Sequence, residues 1–275
     1  MITNDACYAP FMGKPAKLSA GLNPLGMRTA SEQIFTTLLP GMNVVTLRIR
    51  YYSFYCWLLY RFYDCREQAD VFDFRRHLRM SELLMALIHV ACGQGEGVPG
   101  NRRAGNIVGR EGETIDFSQD AMPDDKTIGG YWNGPNGIFG TYYVVALQEL
   151  NLIKPLADEP RLYNITPHCE GCLSGEDLAN AFAKSVAPVT DLFESCAQTG
   201  RVTRSELLKM APYFQSHAMG NTAERNLLLQ TLLQKDHPNE ESETFLRRGT
   251  LRLLLRFLCD MKAENFSEID FAQYV

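Results

Sequence analysis

The residues best equipped for chemistry sit in His168-Cys169-Glu170-Gly171-Cys172. Two thiols at Cys-x-x-Cys spacing with an imidazole beside them supply part of a tetrahedral zinc site, or a dithiol that cycles with a disulfide. A complete zinc site needs two further ligands, and the sequence holds no second Cys-x-x-Cys. Cys196, Cys259 or His217 would have to be delivered by the fold. Redox use asks for the pair at a helix start, and Ser174-Gly175-Glu176-Asp177 offers one just beyond. A second set is acidic. Asp116, Asp124 and Asp125 are hard oxygen ligands of the kind a divalent cation takes. The sequence lacks Gly-x-x-x-x-Gly-Lys-Ser/Thr, His-Glu-x-x-His and Gly-x-Ser-x-Gly. No catalytic residue, metal ligand or cofactor site is assigned from these motifs.

Arginines offer binding rather than catalysis. Arg48 and Arg50 open the run Thr46-Leu47-Arg48-Ile49-Arg50-Tyr51-Tyr52-Ser53-Phe54-Tyr55-Cys56-Trp57. Cations beside aromatic rings grip a nucleic-acid backbone and stack its bases. The same run also reads as a core helix with two arginines at its end. Arg248, Arg252 and Arg256 recur every four residues and share one helix face. Such a row binds phosphate or an acidic partner, or simply faces water. Leu251, Leu254, Leu255 and Leu258 are expected on the opposite, core side.

The totals narrow the class. The chain has 275 residues, a net charge of −5 and a hydrophobic fraction of 45%. These values fit a globular protein able to bury its own core. A whole-protein basic field is absent, so nucleic-acid binding would need a local patch. The polar start and the lack of a long apolar run argue for no signal peptide and no membrane span. Eight scattered cysteines then read as thiols, and the expected location is the cytoplasm.

Helical periodicity is strongest over residues 46–66 and 72–91, and a short helix over 31–39 stops at Pro40-Gly41. Residues 93–137 form a glycine-rich connection. A helix follows over 141–151, then Leu152-Ile153, a turn at Ala157–Pro160, and a returning strand over Leu162–Ile165. Helices are expected over 189–198, 223–235 and 241–262, with a capping box at Thr203-Arg204-Ser205-Glu206. The expected division is an irregular arm and helical unit over 1–92, the connection over 93–137, a unit over 138–185 and a helical tail over 186–275.

Gly140-Thr141-Tyr142-Tyr143, Leu147-Gln148-Glu149-Leu150-Asn151-Leu152-Ile153 and Tyr163-Asn164-Ile165-Thr166 resemble the end of a winged-helix domain over residues 139–182. The resemblance implies a helix near the DNA major groove, with Gln148 reaching bases and Lys154 and Arg161 touching phosphates. It equally allows a module used only for protein packing. Pro123-Asp124-Asp125-Lys126 resembles a fragment of a metal-dependent nuclease motif, though no Glu-x-Lys follows. In overall texture the chain is similar to uncharacterised bacterial proteins encoded near anti-phage systems.

The expectation is a mainly α protein, with a winged-helix-like element, a small β-hairpin and a helical tail. Its expected role is a non-enzymatic adaptor, with duplex DNA, a protein partner or a second copy as the partner. The alternatives are a pure scaffold, with Arg248, Arg252 and Arg256 on its docking face, and a nuclease-like enzyme.

Overall fold

The computed structural model describes residues 27–42, 48–64, 70–121, 136–216, 219, 222–233, 244–261, 267, 271 and 274. Helices dominate them, joined by two short antiparallel sheets. The sequence motif at Asp124-Asp125 and the irregular arm before Met27 lie outside the described residues.

Helix α1 (Met27–Leu38) ends one turn before Gly41, whose φ of 76° suits glycine. The Tyr52 hydroxyl donates to the Gly41 carbonyl at 2.9 Å, and Glu149 accepts the Gly41 N–H at 2.6 Å. Helix α2 (Arg50–Asp64) is the centre of the molecule, with every residue from Arg50 to Leu59 buried. Aromatic side chains on nearly all faces demand neighbours on nearly all sides. Helix α3 (Val71–Ala91) begins at Asp70, whose carboxylate accepts the N–H groups of Phe72 and Asp73. It carries α4 (Asn101–Val108) against its flank.

A π-helical turn, Phe139–Tyr143, leads into α5 (Val144–Glu149). Strands β2 (Ile153–Pro155) and β3 (Tyr163–Ile165) follow as an antiparallel hairpin, with Lys154 opposite Asn164. Helix α6 (Gly175–Val186) opens with a capping box. Ser174 caps the Asp177 N–H, and Asp177 returns to the Ser174 N–H. Gly175 is required there, because a Cβ would collide with the Leu152 carbonyl. Helices α7 (Thr190–Thr199) and α8 (Arg204–Phe214) then cover α3. The expected capping box is present at Thr203 and Glu206. Helices α9 (Ala223–Leu233) and α10 (Thr244–Met261) complete the described chain and pack on each other, with α1 against α10.

The mainly helical fold with a small hairpin is as the sequence indicates. The glycine-rich stretch differs. It contains α4 and β1 (Thr114–Asp116), and β1 pairs with β4 (Arg201–Thr203), Ile115 opposite Val202. Helix α4 shows two buried side chains, Ala104 and Ile107, too few to announce a period. Gly100 at φ 81° serves as its N-cap. Val98, Ala104, Ile107, Ile115 and Phe117 thereby join a single core cluster running from Tyr51 to Leu228. Among the described residues, the four expected segments share that core.

Rings fasten the centre. Tyr143 stacks on Tyr51 with centroids 5.4 Å apart, Trp57 meets Phe182 at 5.3 Å, and Phe193 stacks on Phe214 at 4.5 Å. Such pairs add about 0.5–1.5 kcal/mol each beyond their buried area. No helix among the described residues is long and apolar enough to cross a membrane.

Candidate binding surfaces

The helix–hairpin unit presents Gln148 and Lys154 to solvent. Arg161 is exposed too, but Glu159 engages it at two points, 2.7 and 2.5 Å. That pairing, through hydrogen bonds from Arg161, holds the Glu159 carboxyl down at about 2. Glu149 is committed to Gly41. The surface therefore combines exposed Gln148 with Lys154 and a neutralised Arg161–Glu159 pair.

The start of α2 is arranged differently. Arg50 is 4% exposed and grips Glu224 of α9 through Nε–Oε1 at 3.0 Å and Nη2–Oε2 at 3.1 Å. Ser53 donates to the same carboxylate at 2.7 Å, and the guanidinium lies over the Phe182 ring at 5.2 Å. A further bond reaches the Gln215 carbonyl. Burial and this pairing take Arg50 away from any surface. Arg48 reaches the Glu96 carbonyl at 3.1 Å and ties the helix start to the turn after α3. Arg50 thus serves packing rather than a phosphate-gripping patch, whereas Arg48 stays half-buried at the helix start.

Helix α10 departs from the expected sidedness. Among the described side chains of α10, Phe257 and Arg247 are buried. Arg247 donates to the carbonyls of Pro40 at 3.0 Å and Leu232 at 3.2 Å, binding α10 to the ends of α1 and α9. Phe257 packs edge-on to Phe271 and Tyr274. Leu255 and Leu258, expected in the core, are 52% and 45% exposed. Arg252 and Arg256 are also exposed, Arg256 lying 3.8 Å from Asp260, while Arg248 is half-buried. Periodicity marks an apolar stripe but not its partner, so the leucines and arginines end on neighbouring strips of one open face. Ile34 and Leu38 of α1 and Leu229 of α9 are exposed on the helices that pack with α10.

A cleft of about 370 Å³ opens between α2, α3 and α7, lined by Trp57, Arg61, Arg76, His77, Phe193 and Glu194 among others. Arg61 crosses it, binding Glu194 at 2.5 and 2.9 Å. Trp57 Nε1 and Ser81 Oγ, both on lining residues, are buried without a hydrogen-bond partner.

Asp116 and the two thiols each have local partners of their own. Asp116 accepts from Ser118 and pairs with Arg201 at 3.0 Å, so its carboxylate shapes the β1–β4 end. Among the described residues, no group of three His, Cys, Asp or Glu side chains is placed to hold a metal. Cys169 and Cys172 face each other across an isolated antiparallel bridge, and His168 Nδ1 meets Asp177 at 2.9 Å.

Glu82 is the polar group that sequence reading missed. It is buried in α3 and accepts the N–H groups of Ile138 at 2.9 Å and Phe139 at 2.6 Å, plus the Tyr55 hydroxyl at 3.1 Å. Its signal is a lone carboxylate inside Met80-Ser81-Glu82-Leu83-Leu84. Glu224 and Arg247 carry no such signal, since each sits among ordinary helix-surface residues.

No protein-family model, curated protein or solved structure matches this chain. Its surfaces are therefore the whole basis for a functional reading.

Proposed function

We propose that this chain is a non-enzymatic adaptor that works inside a protein complex and docks a partner through α10. One observation carries the reading: Leu255 and Leu258 stand in solvent beside Arg252 and Arg256 on the same helix. With half-buried Leu251 they follow a four-then-three spacing, the seam one helix offers another. Apolar patches rimmed by charge mark interaction sites on soluble proteins. The arginine strip specifies the partner's chemistry: an apolar ridge edged by carboxylates, which would meet the guanidiniums bidentately.

The helix–hairpin unit supports a second reading, duplex DNA, through exposed Gln148 and Lys154. The Arg161–Glu159 pair weighs against it, because a neutralised cation releases few counterions. Fluorescence anisotropy with labelled duplex across a salt series separates the two. The adaptor reading expects no salt-sensitive binding, and no change in Lys154→Glu. Binding that weakens steeply with salt and falls in Lys154→Glu would replace it with the DNA reading.

The adaptor reading itself is tested by Leu255→Glu with Leu258→Glu. The tagged native chain in extract should run as an assembly larger than its 31.0 kDa, and the variant as the monomer with an unchanged melt. Equal sizes for both would reject docking through α10.

A further inference from the structure

We infer that Cys169 and Cys172 are a modification site, a dithiol that closes reversibly to an intrachain disulfide on the turn between β3 and α6. The inference is independent of the docking surface. The two residues are direct partners in an antiparallel bridge, and the Cys172 N–H donates to the Cys169 carbonyl at 3.3 Å. Directly opposed antiparallel residues have Cα atoms about 4.5–5.5 Å apart. Disulfides span Cα separations of about 4.4–6.8 Å, so the bridge brings the two residues within bonding range. Gly171 at φ 83° gives the turn its tight reversal, a conformation other residues resist.

Access and surroundings agree. Both residues stand as thiols, Cys169 exposed and Cys172 half-buried, whereas Cys56 and Cys196 are buried in the core. The turn is already held to the first turn of α6. The His168 N–H donates to Glu176 at 2.8 Å, and His168 Nδ1 meets Asp177 at 2.9 Å. Asp177 also closes the Ser174 capping box. A disulfide would therefore lock a conformation the chain already adopts.

The co-reactant is a low-molecular-weight disulfide of the glutathione class. The Cys169 thiolate attacks one of its sulfurs, forming a mixed disulfide and expelling one thiolate. The Cys172 thiolate then attacks the Cys169 sulfur, forming the intrachain bond and expelling the second. Two protein thiols are oxidised, the co-reactant is reduced to two thiols, and the two protons leave with them.

The test treats the purified full chain with oxidised glutathione, blocks residual thiols with iodoacetamide and digests with trypsin. The tryptic peptide 162–184 contains Cys169 and Cys172 and no other cysteine. The expected wild-type peptide carries no carbamidomethyl or glutathionyl group and is lighter than its reduced form by two hydrogen atoms. Cys172→Ser should stop at a glutathione adduct on Cys169. A wild-type peptide carrying two blocking groups, two glutathione adducts, or a cross-link to another cysteine peptide would overturn the inference. Because the wild-type result is chemical, it stands whether or not the variant folds.

Discussion

Glu82 lies directly against Gly137: a Cβ on that glycine would collide with the Glu82 carboxylate, and Gly137 itself sits at φ 61°. The contact joins the middle of α3 to the start of the π-helical turn. It lets one buried carboxylate accept the N–H groups of both Ile138 and Phe139 at the start of a helical segment.

Gly137→Ala should therefore be among the costlier single changes in the chain. It adds a clash with Glu82 to the strain of a left-handed alanine, together roughly 2 kcal/mol or more. Urea unfolding monitored by circular dichroism measures it. Gly105→Ala in α4 is the control, since nothing lies within 4 Å of its Cβ position. Equal effects at the two sites would refute the contact.

Glu82 also sets a pH dependence. Burial pushes its carboxyl up from 4.5 to about 7, against the opposing pull of the Ile138 and Phe139 N–H groups, the Tyr55 hydroxyl and nearby Arg79. The folded chain then keeps a proton that the unfolded chain releases near pH 4.5. No penalty exists below that value. The penalty grows as pH rises and is complete above about pH 7, reaching about 3 kcal/mol. Stability should fall from pH 5 to pH 8 by more in wild type than in Glu82→Gln. A wild-type-minus-variant difference that does not change with pH would show that Glu82 titrates normally.

The Arg50–Glu224 pair should be costly to break and cheap to replace. Glu224→Ala strands a buried guanidinium and should cost about 3–5 kcal/mol. Arg50→Met with Glu224→Leu removes both charges and should be much less harmful than the sum of its single changes. A double-mutant cycle by chemical denaturation reads the coupling. Strict additivity would mean the two side chains act separately.

Arg247 is expected to act as a local anchor. Arg247→Met removes its bonds to the Pro40 and Leu232 carbonyls, and α10 should open without unfolding α3. Hydrogen exchange should accelerate several-fold in residues 248–261 and stay unchanged in Val71–Ala91. Uniform acceleration would show that α10 is integral to the global core.

Much of the fold was legible, and for identifiable reasons. The aromatic run of α2, the stop at Gly41, the Ser174 and Thr203 starts and the hairpin turn each depend on neighbours within a few residues. Long-range pairings were not legible. Arg50 finds Glu224 across 174 positions, and β1 finds β4 only when α4 folds back on α3. The same limit governed the surfaces. The spacing of Arg248, Arg252 and Arg256 implies one strip, but the local sequence carries no information on whether Leu255 and Leu258 meet another helix. Their exposure is set by where Arg247 and Phe257 anchor α10.

The docking role of α10 is tested most directly by placing a photo-crosslinking amino acid at position 255 in living cells, with position 208 as the control. Leu208 of α8 is 56% exposed and apolar, so it matches Leu255 in stickiness but not in surroundings. The adaptor account predicts one discrete protein adduct from position 255, none from position 208, and loss of the adduct in Arg252→Glu with Arg256→Glu. The same adducts from both positions, or none from position 255, would contradict it.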